Sequence, residues 1–322
     1  MVRLSFLLAV AISLTFAAGC REKISPGWET AAPPASDRLT SVYFHDSQTG
    51  FIAGGRRFDL NLLFRTDDGG QTWTRQTTTD LFEKIVFNMA FNENMQGLAV
   101  CYEGKVLRTF DGGESWEIRQ TEGWMPLRGI AIISDSVIVI VGGNGYDQGI
   151  IHRSEDFGNT WTVVDTPGYE LRDVVFTDTK TGYACGYGTI IKTSDGGKSW
   201  TLTPAKNEFF SSLSFPTAQN GIAVGRTGTI VKTTDGGDTW EVIRNGNHPQ
   251  NPRHAYNKVR FFDTTTGYIV GDKGLILKTT DSGKSWQKFD KGTTEDLYDI
   301  YLFDEGDAIV VGESGVVLRF RE

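Results

Sequence analysis

The chain has 322 residues, with 32 Lys and Arg against 40 Asp and Glu and a formal charge of −8. An acidic balance argues against general nucleic-acid binding, which needs a dominating basic surface. The cysteines are Cys20, Cys101 and Cys185, and no linker divides the body of the chain.

At the start, Arg3 precedes an apolar run from Leu4 to Phe16 and then Ala17-Ala18-Gly19-Cys20. Residues 1–19 therefore read as an export signal peptide, since the run is too short for a transmembrane helix. The junction resembles a bacterial lipobox, with Ala17 where Leu is usual. That resemblance implies a lipid anchor on Cys20 in the cell envelope, on a side of the membrane the sequence leaves open. Losing residues 1–19 removes Arg3 and no acid, which leaves −9. No second hydrophobic span follows, so the lipid is the expected membrane attachment. Residues 20–27 read as a lipidated tether and residues 28–322 as one folded unit.

Six segments then share the pattern Ser/Thr-x-Asp-x-Gly-x-Ser/Thr-Trp: Thr66–Trp73, Thr109–Trp116, Ser154–Trp161, Thr193–Trp200, Thr233–Trp240 and Thr279–Trp286. This is the Asp-box, or bacterial neuraminidase repeat. Its carboxylates are Asp68, Asp111, Asp156, Asp195, Asp235 and Asp281. The closing tryptophans are Trp73, Trp116, Trp161, Trp200, Trp240 and Trp286. The Asp can accept hydrogen bonds from amides that follow it, Gly supplies angles a Cβ would forbid, and Trp offers apolar area. None of this needs a ligand, so the boxes are expected to be structural.

Each box closes a longer unit. An alternating strand carries an apolar anchor (Val42, Met89, Ile130, Val174, Leu213, Val259 or Ile300), and a second apolar strand ends 12 residues later in every unit. A third strand runs into a basic residue (Arg65, Arg108, Arg153, Lys192, Lys232, Lys278 or Arg319), 8 residues before the box Trp wherever a box exists. The last unit stops at Glu322 without box or fourth strand, while Trp28 stands alone, 14 residues before the first anchor. Trp28 is thus expected to begin the strand missing from unit seven. The fold class is all-β: a seven-bladed β-propeller with Asp-box repeats, closed by pairing an N-terminal strand with the C-terminal three. Cys101 and Cys185 then fall in non-adjacent blades, two and four, as free buried thiols.

The motif Gly-Tyr-x-x-Gly-x-x-Gly-x-Ile-x-Lys-Thr-x-Asp-Gly-Gly-x-x-Trp, clearest in Gly182–Trp200 and Gly267–Trp286, resembles the photosystem II stability/assembly-factor family of propellers. The resemblance implies a non-enzymatic scaffold that holds a membrane-protein intermediate, partly through an arginine-rich surface. No compact arginine cluster is visible in the sequence to carry that surface.

Strand alternation places the boxes with the first-to-second-strand turns on one face. On the other lie the second-to-third-strand loops and the connections between blades. Units one and three carry longer second-to-third-strand loops, 11 residues from strand end to basic residue, and the longest connection, 19 residues, joins Trp240 to Val259. All three extensions fall opposite the boxes, and loops freed from the repeat are where function concentrates. They supply the partner-binding candidates Arg56, Arg57, Asp59, Tyr146, Asp147, His248, Arg253, His254 and Tyr256, with Trp124, Tyr169 and Phe209 in other connections. The basic residues before the boxes are expected to snorkel and stay solvated, and Asp173, Lys258, Arg260 and Asp299 to line the central channel.

The reading is an envelope lipoprotein, monomeric, that binds a protein partner through the loop-rich face, with no catalytic residue, metal or cofactor. The alternative is a glycan-binding protein or sialidase-like glycoside hydrolase, although the Arg-Ile-Pro segment of sialidases is absent. His248 and His254, six apart with no thiol or carboxylate beside them in sequence, make a poor zinc site. Box one has Thr78 where a calcium loop needs Glu.

Overall fold

The computed structural model describes residues 27–30, 35–77, 83–145, 147–166, 168–289, 292–304 and 306–321. The expected signal peptide, Cys20, the expected tether before Gly27 and the candidate Tyr146 lie outside the described residues.

Seven blades of antiparallel strands surround a channel. In blade one, Leu39–Phe44, Gly50–Arg56, Leu60–Thr66 and Thr74–Arg75 pair in sequence order from the channel outward. Blades two, three and six repeat this arrangement. Blades four and five share one six-stranded sheet. There Gly182–Thr193 supplies two strands around Gly188 (φ +71°), and Thr201–Ser214 runs from the rim of blade four into the inner strand of blade five. The loop between second and third strands of blade four is among the shortest, so the strand bends without a break.

Blade seven is closed as expected. Trp28–Thr30 pairs with Val317–Arg321, which pairs with Asp307–Gly312 and then Leu297–Asp304. The register is constant around the ring, each anchor facing the residue ten positions on: Val42 with Ile52, Val174 with Ala184, Ile300 with Val310.

Apolar clusters fill the junctions between blades, and Phe51 and Leu63 of blade one meet Met89 and Leu107 of blade two in a typical one. Trp28, with Phe320 and Leu318, seals the junction to Tyr268 and Ile276 of blade six. Cys101 and Cys185 are free and fully buried. Burial pushes both thiols up, out of reach of ordinary thiolate chemistry. No helix among the described residues is long and apolar enough to cross a membrane.

Candidate functional site

The two faces separate as strand alternation requires. Box amides donate to the neighbouring turns: Gly69 N to Gln48 O at 2.8 Å, Gly196 N to Lys180 O at 2.8 Å, Ser282 N to Thr265 O at 2.9 Å. On the opposite face Gly104 N donates to Met125 O and Gly149 N to Gly168 O, both at 2.9 Å, tying loops to blade connections.

The basic residues before the boxes correct one expectation. Arg65, Arg108, Arg153, Lys192, Lys232 and Arg319 turn partly or wholly out of solvent and reach the box of the next blade. Arg65 donates to Gly112 O (3.2 Å), Arg108 to Phe157 O (3.1 Å), Arg153 to Gly196 O (2.8 Å) and Lys232 to Ser282 O (2.8 Å). Arg319 closes the ring onto Gly69 O of blade one. Between blades four and five, Lys192 reaches Asp238 (3.0 Å) while the Tyr183 hydroxyl donates to Gly236 O (2.6 Å). An oriented carbonyl and a desolvated cation make a strong hydrogen bond, so these side chains join neighbouring blades.

The candidate site lies at the other end of the channel. In all seven blades the pairing of first and second strands slips just before the anchor: between Leu39 and Ser41, Val86 and Asn88, Leu127 and Gly129, Leu171 and Asp173, Phe210 and Ser212, Tyr256 and Lys258, Leu297 and Asp299. A bulge re-aims the residue it expels from the ladder. Those residues are Thr40, Phe87, Arg128, Arg172, Ser211, Asn257 and Tyr298, and all seven line one basin of about 560 Å³. Arg38, Arg56, Arg57, Arg226 and Lys258 complete its cationic wall, against Asp37, Asp173, Asp299 and Glu313. The structure thus supplies the compact arginine cluster that could not be seen in the sequence.

Burial sets the electrostatics. Glu170 is 4% exposed and lies between Arg172 (2.7 Å) and Arg128 (3.5 Å), with its other oxygen accepting from Gly145 N (2.8 Å) of the blade-three insertion. Arg128 stacks 4.0 Å over Phe87, and Arg172 lies 5.0 Å over Phe209. Burial pulls the Arg128 guanidinium down to about 9, Arg172 and Arg57 push it further, and Glu170 opposes them. Burial likewise lowers Arg172, which Glu170 opposes while Arg226 and Arg57 add to it. The Nε groups of both find no hydrogen-bond partner among the described residues. Arg57 and Arg226 form no ion pair among those residues either, and rest over Tyr102 (5.3 Å) and Phe209 (5.9 Å). Such a cluster favours a carboxylate or phosphate, which guanidinium forks recognise in pairs.

From the basin wall an aromatic ridge runs outward. Phe87 meets Tyr102, and Tyr102 meets Phe58, which is 61% exposed beneath Lys84. Trp124, 71% exposed, stands beyond it with Lys105 over its ring.

Of the sequence candidates, Arg56 and Arg57 line the basin, and Asp59 holds Arg56 at 3.2 Å. Asp147, His248 and Arg253 are exposed but line no part of the basin. His254 is tied to Asp272 at 3.0 Å. Tyr256 is buried under Arg244, so it supports the loop and offers no surface. Within the channel, Lys258 pairs with Asp173 (3.0 Å) and Arg260 with Asp299 (3.5 Å). Among the described residues no three His, Cys, Asp or Glu side chains gather as a metal site.

Comparison with known proteins agrees with this architecture. Residues 205–294 match the family described as photosynthesis system II assembly factor YCF48, and residues 64–75 match the BNR/Asp-box repeat. The photosystem II assembly lipoprotein Ycf48 of Synechococcus sp. (strain CC9902) is 28% identical over 216 residues, which span 53% of this chain and 63% of that relative. Two solved structures share the fold at TM-score 0.73. YCF48 from Cyanidioschyzon merolae is 19% identical, over 92% of this chain and 99% of its own. YCF48 bound to D1 peptide is 20% identical, over 92% and 98%. The chain is a BNR/Asp-box propeller related to the YCF48 photosystem II assembly factors.

Proposed function

We propose that this protein is a lipid-anchored holding factor of the cell envelope that captures an acidic segment of a protein partner in the arginine basin and performs no chemistry on it. The observation that carries the reading is the basin's charge: seven cationic side chains against four carboxylates on its wall, in a chain of net charge −8. Such a local reversal of sign steers an acidic partner and fixes its register. The peptide bound by one structural neighbour supports a protein ligand, and the lipoprotein name of the Synechococcus relative supports an anchor at Cys20.

The test is capture from native envelopes by crosslinking. Hydrogen bonds to charged groups contribute about 1.5–3 kcal/mol, or roughly tenfold in affinity for each arginine. Arg57→Ala with Arg226→Ala should therefore cut capture by at least about tenfold, and added salt should weaken the wild-type signal. Neither residue holds an ion pair among the described residues, so thermal stability should stay near wild type. Unchanged capture by the double variant would refute the reading.

A second reading, glycan binding, draws on Trp124 and Phe58, exposed at 71% and 61% on the same face. Aromatic faces stack on sugar rings, so Trp124→Ala should erase any glycan-array signal. A silent array with wild-type protein retires this reading.

A further inference from the structure

The N-terminal strand also sets the direction from which the tether reaches the propeller. Trp28 pairs with Phe320, Glu29 with Arg319 and Thr30 with Leu318, and Arg321 N donates to Gly27 O at 3.2 Å. Arg319 belongs to the clasp ring and touches the box of blade one. Gly27 and Trp28 therefore stand at the Asp-box end of blade seven, and Thr30 points toward the loop-rich end. The entry is held firmly: a Cβ on Gly27 would lie 2.6 Å from the Phe320 ring, and Trp28 packs 5.3 Å from that ring.

Seven steps separate Cys20 from Gly27, at most about 25 Å of extended chain. For the loop-rich face to meet the bilayer, the tether would have to travel back along the outer edge of blade seven. The five residues of Val317–Arg321 alone span about 17 Å, and the loops at both ends add to that. Such a crossing uses up the tether.

We propose that the anchored propeller rides with its Asp-box face toward the bilayer and its arginine basin turned away. The captured segment must then stand clear of the lipid by roughly 20 Å, the height of a blade. This rests on the lipid-anchor reading above. The box face carries two exposed aromatics, Phe110 (51%) and Phe262 (41%), suited to an interface. It also carries exposed Asp67, Glu114 and Asp238, so orientation is proposed and not insertion.

Single labels distinguish the faces, because Cys101 and Cys185 are buried and unreactive. Lys284→Cys places a donor dye on the box of blade six, and Gln250→Cys places one on the connection leading into blade six; both parent residues are exposed. The full-length lipidated protein, in liposomes holding a headgroup-labelled acceptor lipid, should transfer energy at least twice as efficiently from position 284 as from 250. Equal transfer, or stronger transfer from 250, overturns the orientation. A flexible 20-residue insertion between Ser25 and Pro26 should abolish the difference; its persistence would overturn the role of the tether. Mass measurement of the N-terminal peptide reports the lipid separately. A chain without lipid on Cys20 removes the anchor reading and this proposal with it, whereas a lipidated chain with position 250 nearer the bilayer overturns the orientation alone.

Discussion

Asp235 illustrates how completely a box uses its own carboxylate. One oxygen accepts from Thr239 N (2.9 Å) and the Thr233 hydroxyl (2.8 Å), the other from the Thr239 hydroxyl, and Thr233 Oγ1 accepts from Gly237 N (2.8 Å). The Thr239 hydroxyl bond, then the amide and Thr233 bonds, hold this carboxyl at about 2, below its ordinary 3.8. In Asp111 and Asp156 partial burial pushes upward, but the bonds prevail and both also lie at about 2. A folded pKa below the unfolded one gives stability that is full above about 4 and is lost as pH falls toward 2. Thermal unfolding followed across that window should show the loss, and Asp235→Ala should flatten part of it while lowering the melting temperature at pH 7. His152 works in the same direction at milder pH. It is 1% exposed with no partner for either ring nitrogen among the described residues, where other blades carry Phe64, Leu107, Ile191, Val231, Leu277 or Leu318. Burial lowers its pKa below 6.5, so stability is full above 6.5 and declines as the unfolded chain takes up a proton the folded chain refuses. His152→Leu should stabilise by about 1–2 kcal/mol, the cost of an unsatisfied buried polar group, and remove the decline below pH 6.5 in denaturant titrations.

At the scale of elements, the clasp and the closing strand carry separate loads. Arg319 is 9% exposed, forks onto Asp307 (2.6 and 2.9 Å) and holds Gly69 O. Arg319→Met leaves Asp307 without that fork and should cost about 3–5 kcal/mol, read from chemical denaturation. Arg65→Met, at a more exposed position, should cost about 1 kcal/mol. Trp28→Ala removes the ring packed on Phe289 and Phe320 and should cost about 3–5 kcal/mol. The strands and the closure were legible in the sequence because the units repeat: fixed spacings announced the strands, and an unpaired Trp announced the closure. The clasp was not, since a basic residue at a strand end looks the same solvated or bonded. The bulges were not legible. A bulge adds a residue without changing the distance from anchor to strand end, so Arg128 and Arg172 read as ordinary members of alternating strands. Four arginines spread from 57 to 226 become neighbours only when five blades are wrapped around an axis.

For the whole molecule, the loop extensions pointed to the face that holds the basin, but to its periphery. Arg56 and Arg57 reach the basin because the first extension leans inward. The long connection after Trp240 instead spends its polar groups on itself, with Asn251 donating to Asn245 O (2.7 Å) and Arg244 holding Pro252 O (2.6 Å). Length in a loop shows freedom from the repeat, and not which way the loop points. The closed ring also separates duties: one face is committed to clasps that keep blades together, and the other holds the basin where no box must be satisfied.

The seven bulged residues have a consequence for change over time. Each is expelled from the ladder, so its identity is not fixed by strand pairing, although Thr40, Ser211 and Asn257 also donate to the first strand of the next blade. Thr, Phe, Arg, Arg, Ser, Asn and Tyr form a short word written around the mouth of the channel. Among the described residues, Phe87, Arg128, Arg172 and Tyr298 carry no such bond to a neighbouring strand. A lineage can therefore revise which segment the protein holds at those letters without inventing a new fold, and a library confined to them can ask for a new one.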